Sequence, residues 1–271
     1  MLNTEFQQHP AGHAFTPIPR MLPLQGTDRA ARHAAPQAGD NLQARRIGET
    51  LALLGDVLQP QKRIIRAGDV LYRAGERFDC LHVLNSGMVK VVKLTADGRE
   101  QVVGIKFRGD WLGLDGIARG TYGCDGIAMD TGEVWSFRYD ALLNSCSRHP
   151  ALLTTLHAGM SLEIARERES LMSVCTLPAD ARVADFLRFI AESLATRGMR
   201  TDQITLRMTR AEIGNHLGLT LESVSRALSR LARDKVIAFV EKGRRDVRIP
   251  DLRALADFVQ RRISPEPMIL Q

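Results

Sequence analysis

The chain has 271 residues, enough for two ordinary domains, and its 44% apolar residues are a globular share able to build a core. No run approaches the roughly 18 consecutive apolar residues that span a bilayer, and the N-terminus lacks the basic start and apolar stretch of a secretory signal. Composition thus disfavours a membrane protein and leads us to expect the cytoplasm. The formal net charge is +6. From Ala179 onward there are 17 Lys and Arg against 12 Asp and Glu, so most of the excess lies in the last third. A basic segment of that kind suits nucleic acid.

Residues 1–45 read as an unstructured tail, because Pro10, Pro17, Pro19, Pro23 and Pro36 interrupt any helix. An amphipathic helix is expected from Gln43 to Leu58. From Lys62 to Phe137 short apolar runs alternate with turn signals. Ile64-Ile65, Val70 to Tyr72, Leu81 to Leu84, Met88 to Leu94 and Gln101 to Phe107 read as strands. Asp97-Gly98 reads as a tight hairpin turn between the last two of these. Many short, closely spaced strands suggest a barrel or sandwich.

A long helix is expected from His149 to Val174. Leu153, Leu156, Met160, Ile164 and Leu171 recur at three- and four-residue steps, the spacing of a coiled-coil seam. Glu167 falls on the same seam, where two copies related by a two-fold axis would repel. Leu177-Pro178 stops this helix, and Ala179 to Thr196 forms another. Residues 149–177 are therefore expected to dimerise the chain.

Residues 178–262 carry the most specific signal. Thr209 and Glu212 form a capping box for a short helix ending at Leu217. Gly218 permits a sharp turn, and Thr220 caps a second helix running to about Arg233, with Val224, Leu228 and Leu231 inward. Two short helices joined by a tight turn are a helix-turn-helix, whose second helix enters the major groove. Its polar face holds Glu222, Ser225 and Arg226. Arginine can pair with guanine and a carboxylate can accept from cytosine, so these three are the candidate base readers. Thr209, Arg210, Thr220 and Arg230 are candidate contacts to the DNA backbone. Val236 to Val240 and Val247 to Ile249 read as strands of a wing, with Lys242 and Arg244 at a basic tip suited to phosphate.

These residues resemble the Crp/Fnr superfamily of bacterial regulators. The likeness runs from Met208-Thr209-Arg210 through Ile213-Gly214 to Leu217-Gly218-Leu219-Thr220, Glu222, Ser225 and Arg226. It is nearest to the fumarate and nitrate reduction branch. Gly109-Asp110-Trp111-Leu112-Gly113 is similar to a segment of the family's sensor domain. The resemblance implies an α+β chain: a cyclic-nucleotide-binding-like β-barrel (jelly roll) over residues 46–148, a long dimerisation helix, and a C-terminal winged helix-turn-helix. It further implies a homodimer on double-stranded DNA, TTGAT-type half-sites, and contacts with RNA polymerase.

Two departures from the family bear on cofactors, and none is expected. The branch that senses oxygen holds an iron–sulfur cluster on clustered N-terminal cysteines plus one in the barrel. Here the cysteines are Cys80, Cys124, Cys146 and Cys175 only, and Trp135 stands where the barrel cysteine belongs. The cyclic AMP branch carries a glutamate for the ribose and an Arg-Ser pair for the phosphate, where this chain has Leu114 and Cys124-Asp125. A haem- or redox-dependent sensor remains an alternative, with His82 and His157 as the histidines in the relevant elements and Cys175 as the thiol. A ligand-binding module acting on a protein partner is another. An enzyme is not expected, since the chain has no metal-ligand spacing, no G-x-S-x-G and no phosphate loop.

Overall fold

A computed structural model describes residues 38–95, 98–240 and 245–263. The expected tail therefore lies mostly outside the described residues, as do Asp97, Lys242 and Arg244. The tail does not reach residue 45: helix α1 already begins at Ala38 and runs to Leu58. Leu51 and Leu54 on its inner face are buried against the sandwich that follows.

That sandwich contains β1 (Gln61–Ile65), β2 (Val70–Tyr72), β3 (Cys80–Ser86), β4 (Val89–Leu94), β5 (Glu100–Lys106), β6 (Trp111–Leu112), β7 (Asp125–Ala128) and β8 (Gly132–Arg138). One antiparallel sheet has the order β1-β8-β3-β6 and the other β2-β7-β4-β5. The two sheets stay open at their edges, so the domain is a jelly roll of two layers and not a hydrogen-bonded ring. β4 and β5 form a hairpin that pairs Leu94 with Glu100 and Val89 with Lys106. Between β6 and β7 lies a four-residue helix, α2 (Gly116–Arg119), and after β8 comes α3 (Tyr139–Cys146).

The long helix α4 spans Pro150–Thr176, with proline at its first position, where a missing N–H costs nothing. Its inner face is mixed. Leu152 and Leu156 lie in a core with Leu51, Leu54, Trp111, Trp135 and Leu142. At Gly159 a Cβ would collide with the Trp111 indole, so glycine here lets the helix approach closely. Further along the same face, buried Lys106 pairs with Glu163, and Arg166 meets Asp110 at 2.9 Å. Asp110 also accepts from buried Arg197 at 2.8 Å. The Gly109-Asp110-Trp111 segment is thus a structural hub, since one buried carboxylate joins the sensor strands to two later elements.

This packing corrects one expected seam residue. Leu156 is 3% exposed and belongs to the chain's own core. The exposed series one residue over is Leu153, His157, partly buried Met160, Ile164, Glu167 and Leu171. It alternates steps of four and three without a break, as a seam requires.

After α5 (Ala179–Ala195) come α6 (Arg210–Leu217), α7 (Leu221–Arg233) and α8 (Leu252–Ile263). A three-stranded sheet of order β10-β11-β9 flanks them, built from β9 (Gln203–Thr205), β10 (Ala238–Phe239) and β11 (Asp246–Arg248). The first wing strand is shorter than expected, because Val236 and Ile237 turn into the core beneath α7, and the second begins one residue earlier, at Asp246. Val92, Val102, Ile105 and Phe107 of the sensor hairpin region share one buried cluster with α5, α6 and α7.

Candidate nucleic-acid interface

The local chemistry of α6 and α7 sets the site. Glu212 N–H donates to Thr209 Oγ1 at 3.2 Å, and the Thr209 N–H returns a bond to Glu212 Oε2 at 2.7 Å, so the capping box is closed in both directions. Burial opposes the charge on Glu212, but hydrogen bonds from Lys90 and Thr209 outweigh it and hold the carboxyl below its usual range. Gly218 ends α6 at φ 65°, a left-handed conformation that a side chain would strain. Thr220 then caps α7 by accepting from the Ser223 N–H at 3.2 Å.

Helix α7 is sharply two-sided. Val224, Ala227, Leu228 and Leu231 are buried. Glu222, Arg226 and Ser229 are exposed and Ser225 is half-buried beside them, so the candidate base readers share the outer face. The Glu222 carboxyl is held below its ordinary range, first by its own backbone N–H, then by Thr220, with a smaller pull from the Arg226 guanidinium. It is therefore an acceptor at neutral pH, as pairing with a cytosine amino group demands.

Exposed Thr209 and Thr220 stand at the starts of the two helices, where backbone N–H groups also point outward. The Arg210 guanidinium lies 5.8 Å from the centre of the Phe239 ring, which ties the start of α6 to the wing strand β10. Arg230 does something the sequence did not signal. Its guanidinium pairs with Asp180 at the start of α5, and so braces α7 against that helix.

In the sensor domain, Asp115 precedes α2 and Asp125 opens β7. Asp115 accepts from the Gly123 N–H at 2.9 Å and Asp125 from the Ala74 N–H at 2.6 Å. Two backbone donors of this region are thus taken by carboxylates. Inside, Tyr72 stacks on Tyr122 at 4.4 Å and on His82 at 5.4 Å. His82 is 8% exposed, with Nδ1 at 2.8 Å from Ser136 Oγ and Nε2 at 3.3 Å from the Tyr122 hydroxyl. Burial pushes its pKa down to about 4, so it is neutral at physiological pH. His157 sits on the exposed face of α4, outside the His82 pocket.

The four cysteines lie on or beside separate elements. They stand in β3, before β7, at the end of α3 and near the end of α4. Among the described residues no three His, Cys, Asp or Glu side chains gather into a metal-holding group. Burial raises the thiol pKa of Cys80 and Cys146, and that of Cys124 to about 11.

Residues 181–258 match the model of the Crp-like helix-turn-helix domain, and residues 62–149 that of the cyclic nucleotide-binding domain. The chain belongs to the Crp/Fnr family. It is similar to the fumarate and nitrate reduction regulatory protein of Escherichia coli strain K12, with 31% identity over 183 residues, which cover 68% of this chain and 73% of that one. The corresponding regulator of Klebsiella oxytoca matches equally, at 31% over the same share. Among solved structures, FixK2 from Bradyrhizobium japonicum aligns with a TM-score of 0.65 at 25% identity, over 73% of this chain and 96% of that one. A CRP-family transcriptional regulator from Thermus thermophilus shares the fold at a TM-score of 0.61 and 23% identity, over 74% of this chain and 98% of that one. As a member of this family the chain is a transcription regulator with a DNA-binding helix-turn-helix. No helix among the described residues is long and apolar enough to cross a membrane.

Proposed function

We propose that the chain works as a homodimer, paired along the exposed series on α4, that binds TTGAT-N4-ATCAA-like palindromes and regulates promoters through contacts with RNA polymerase. The observation that carries this reading is the outer face of α7, where Glu222, Ser225 and Arg226 stand together on a helix capped at Thr220. Arg226 reads guanine and Glu222 reads cytosine, while Ser225 serves either base. Thr209, Arg210 and Thr220, with Lys242 and Arg244 of the wing tip, contact phosphate and fix the register. Arg230, held by Asp180, serves α7 itself.

The regulator acts without an iron–sulfur cluster and without cyclic AMP. The scattered thiols support the first statement, and Asp115 and Asp125 on the Gly123 and Ala74 amides support the second. A nucleotide phosphate approaching these amides would meet two carboxylates. The experiment is fluorescence anisotropy in air, without added ligand, on a TTGAT-N4-ATCAA duplex and a scrambled control at fixed salt. Selective binding is expected, and Arg226→Ala should weaken it by about 1–3 kcal/mol. Equal affinity for both duplexes would overturn the site assignment.

A further inference from the structure

The first helix of the helix-turn-helix is fastened to the sensor domain. β5 is an edge strand, and such a strand leaves N–H and C=O groups unpaired along one side. Here α6 takes them. The Val102 N–H donates to Asn215 Oδ1 at 2.7 Å, and Asn215 Nδ2 donates to the Glu100 carbonyl. A carboxamide holds an acceptor and a donor in one plane, so this single side chain closes on β5 as the peptide of a neighbouring strand would. His216 Nδ1 lies 3.0 Å from the Val102 carbonyl, and Gln101 Nε2 donates to the Asn215 carbonyl. On either side, Lys90 meets Glu212 at 2.5 Å and Arg207 meets Asp130 at 3.3 Å. While these contacts hold, Glu222 and Arg226 remain exposed.

We infer that Asn215 is a positioning residue for DNA recognition: by completing the β5 edge it latches each helix-turn-helix to its own sensor domain, so that a dimer presents its two recognition helices at one fixed separation. The inference rests on the proposed two-fold reading of DNA. A palindrome reader must place two helices about one helical turn apart, roughly 34–36 Å. If α4 and the Leu177-Pro178 break were the only link, the DNA-binding domain would be free to swing, and binding would have to order it. Together with the buried cluster shared by the two domains and the Arg197–Asp110 pair, the latch removes that freedom beforehand, which favours the matching spacer over all others. It touches no base, so it leaves the reading of a single half-site alone.

The test compares full-length wild type with Asn215→Ala, and with Lys90→Ala as a milder second variant. Each is titrated against TTGAT and ATCAA half-sites separated by three, four, five or six base pairs, and against a lone half-site. Wild type should favour one spacer. Asn215→Ala should flatten that preference by about tenfold with lone half-site affinity unchanged, and Lys90→Ala should flatten it less. Hydrogen exchange, read without DNA, should quicken at residues 100–102 and 210–217 in Asn215→Ala, while β8 and α3 keep their protection. A spacer profile identical to that of a selective wild type would overturn the latch and leave the base readers standing. A wild type that failed to distinguish TTGAT duplexes from scrambled ones would overturn the base-reading assignment, and the positioning role with it.

Discussion

His82 shows how one buried side chain makes a fold sensitive to acid. It is enclosed by Tyr72, Tyr122 and Ser136 in neutral form, with its pKa pushed down to about 4 by burial and, to a lesser degree, by Arg63. An unfolded histidine titrates near 6.5. Between these values the unfolded chain binds the extra proton, so stability is full above about pH 6.5 and falls as the pH drops toward 4, by a total of about 3 kcal/mol. His216, lowered by burial against a weaker opposing bond to Val102, acts with the same sign. Thermal melting at about pH 7.5 and about pH 5 should therefore differ strongly in wild type. His82→Gln should narrow the difference without abolishing it, since His216 remains. Equal acid sensitivity in both proteins would show that His82 is not the proton acceptor.

At the scale of one element, α4 separates two jobs that its sequence leaves mixed. Leu156 lies inward with Leu152 in the core under Trp111, and Ile164 lies outward, 47% exposed. Leu156→Ala should therefore cost about 2–5 kcal/mol of folding stability in chemical denaturation while the dimer constant stays put. Ile164→Glu should do the opposite, giving folded monomers in analytical ultracentrifugation. Reversed results would place the seam on the Leu156 face. The sequence leaves this open because Leu152 and Leu156 stand one residue from Leu153 and His157, and mixed three- and four-residue steps pass through both faces. α6 and α7 were legible in detail because their signals are local: Thr209, Glu212, Gly218 and Thr220 act within one turn of themselves. The Asn215 latch and the Arg230–Asp180 brace were not legible, since each joins residues far apart in the chain and no spacing rule relates them. β9 was missed for a similar reason. Three residues carry no periodicity, and they become a strand only by pairing with β11.

For the whole molecule paired as proposed along α4, the decisive balance is between the apolar stripe and the carboxylate within it. Leu153, Ile164 and Leu171 are 40%, 47% and 63% exposed in the single chain, a stripe whose burial by a second copy would drive association. Glu167 falls between Ile164 and Leu171 on that stripe and is itself exposed. In a parallel two-fold pair each Glu167 faces its own copy, and the repulsion subtracts from the apolar gain. Partly solvated charges of this kind are worth about 0.2–1 kcal/mol, so Glu167→Ala should tighten the dimer up to about fivefold in sedimentation equilibrium. Salt separates this effect from DNA binding. Added salt screens the carboxylates and should strengthen wild-type dimerisation more than that of Glu167→Ala. The same salt weakens phosphate contacts, so affinity for DNA should fall in both proteins alike. If salt left the two dimer constants in a fixed ratio, Glu167 would lie off the two-fold axis, and the seam would have to be rotated around α4 toward Leu162 and Met172, the other exposed large apolar side chains of that helix.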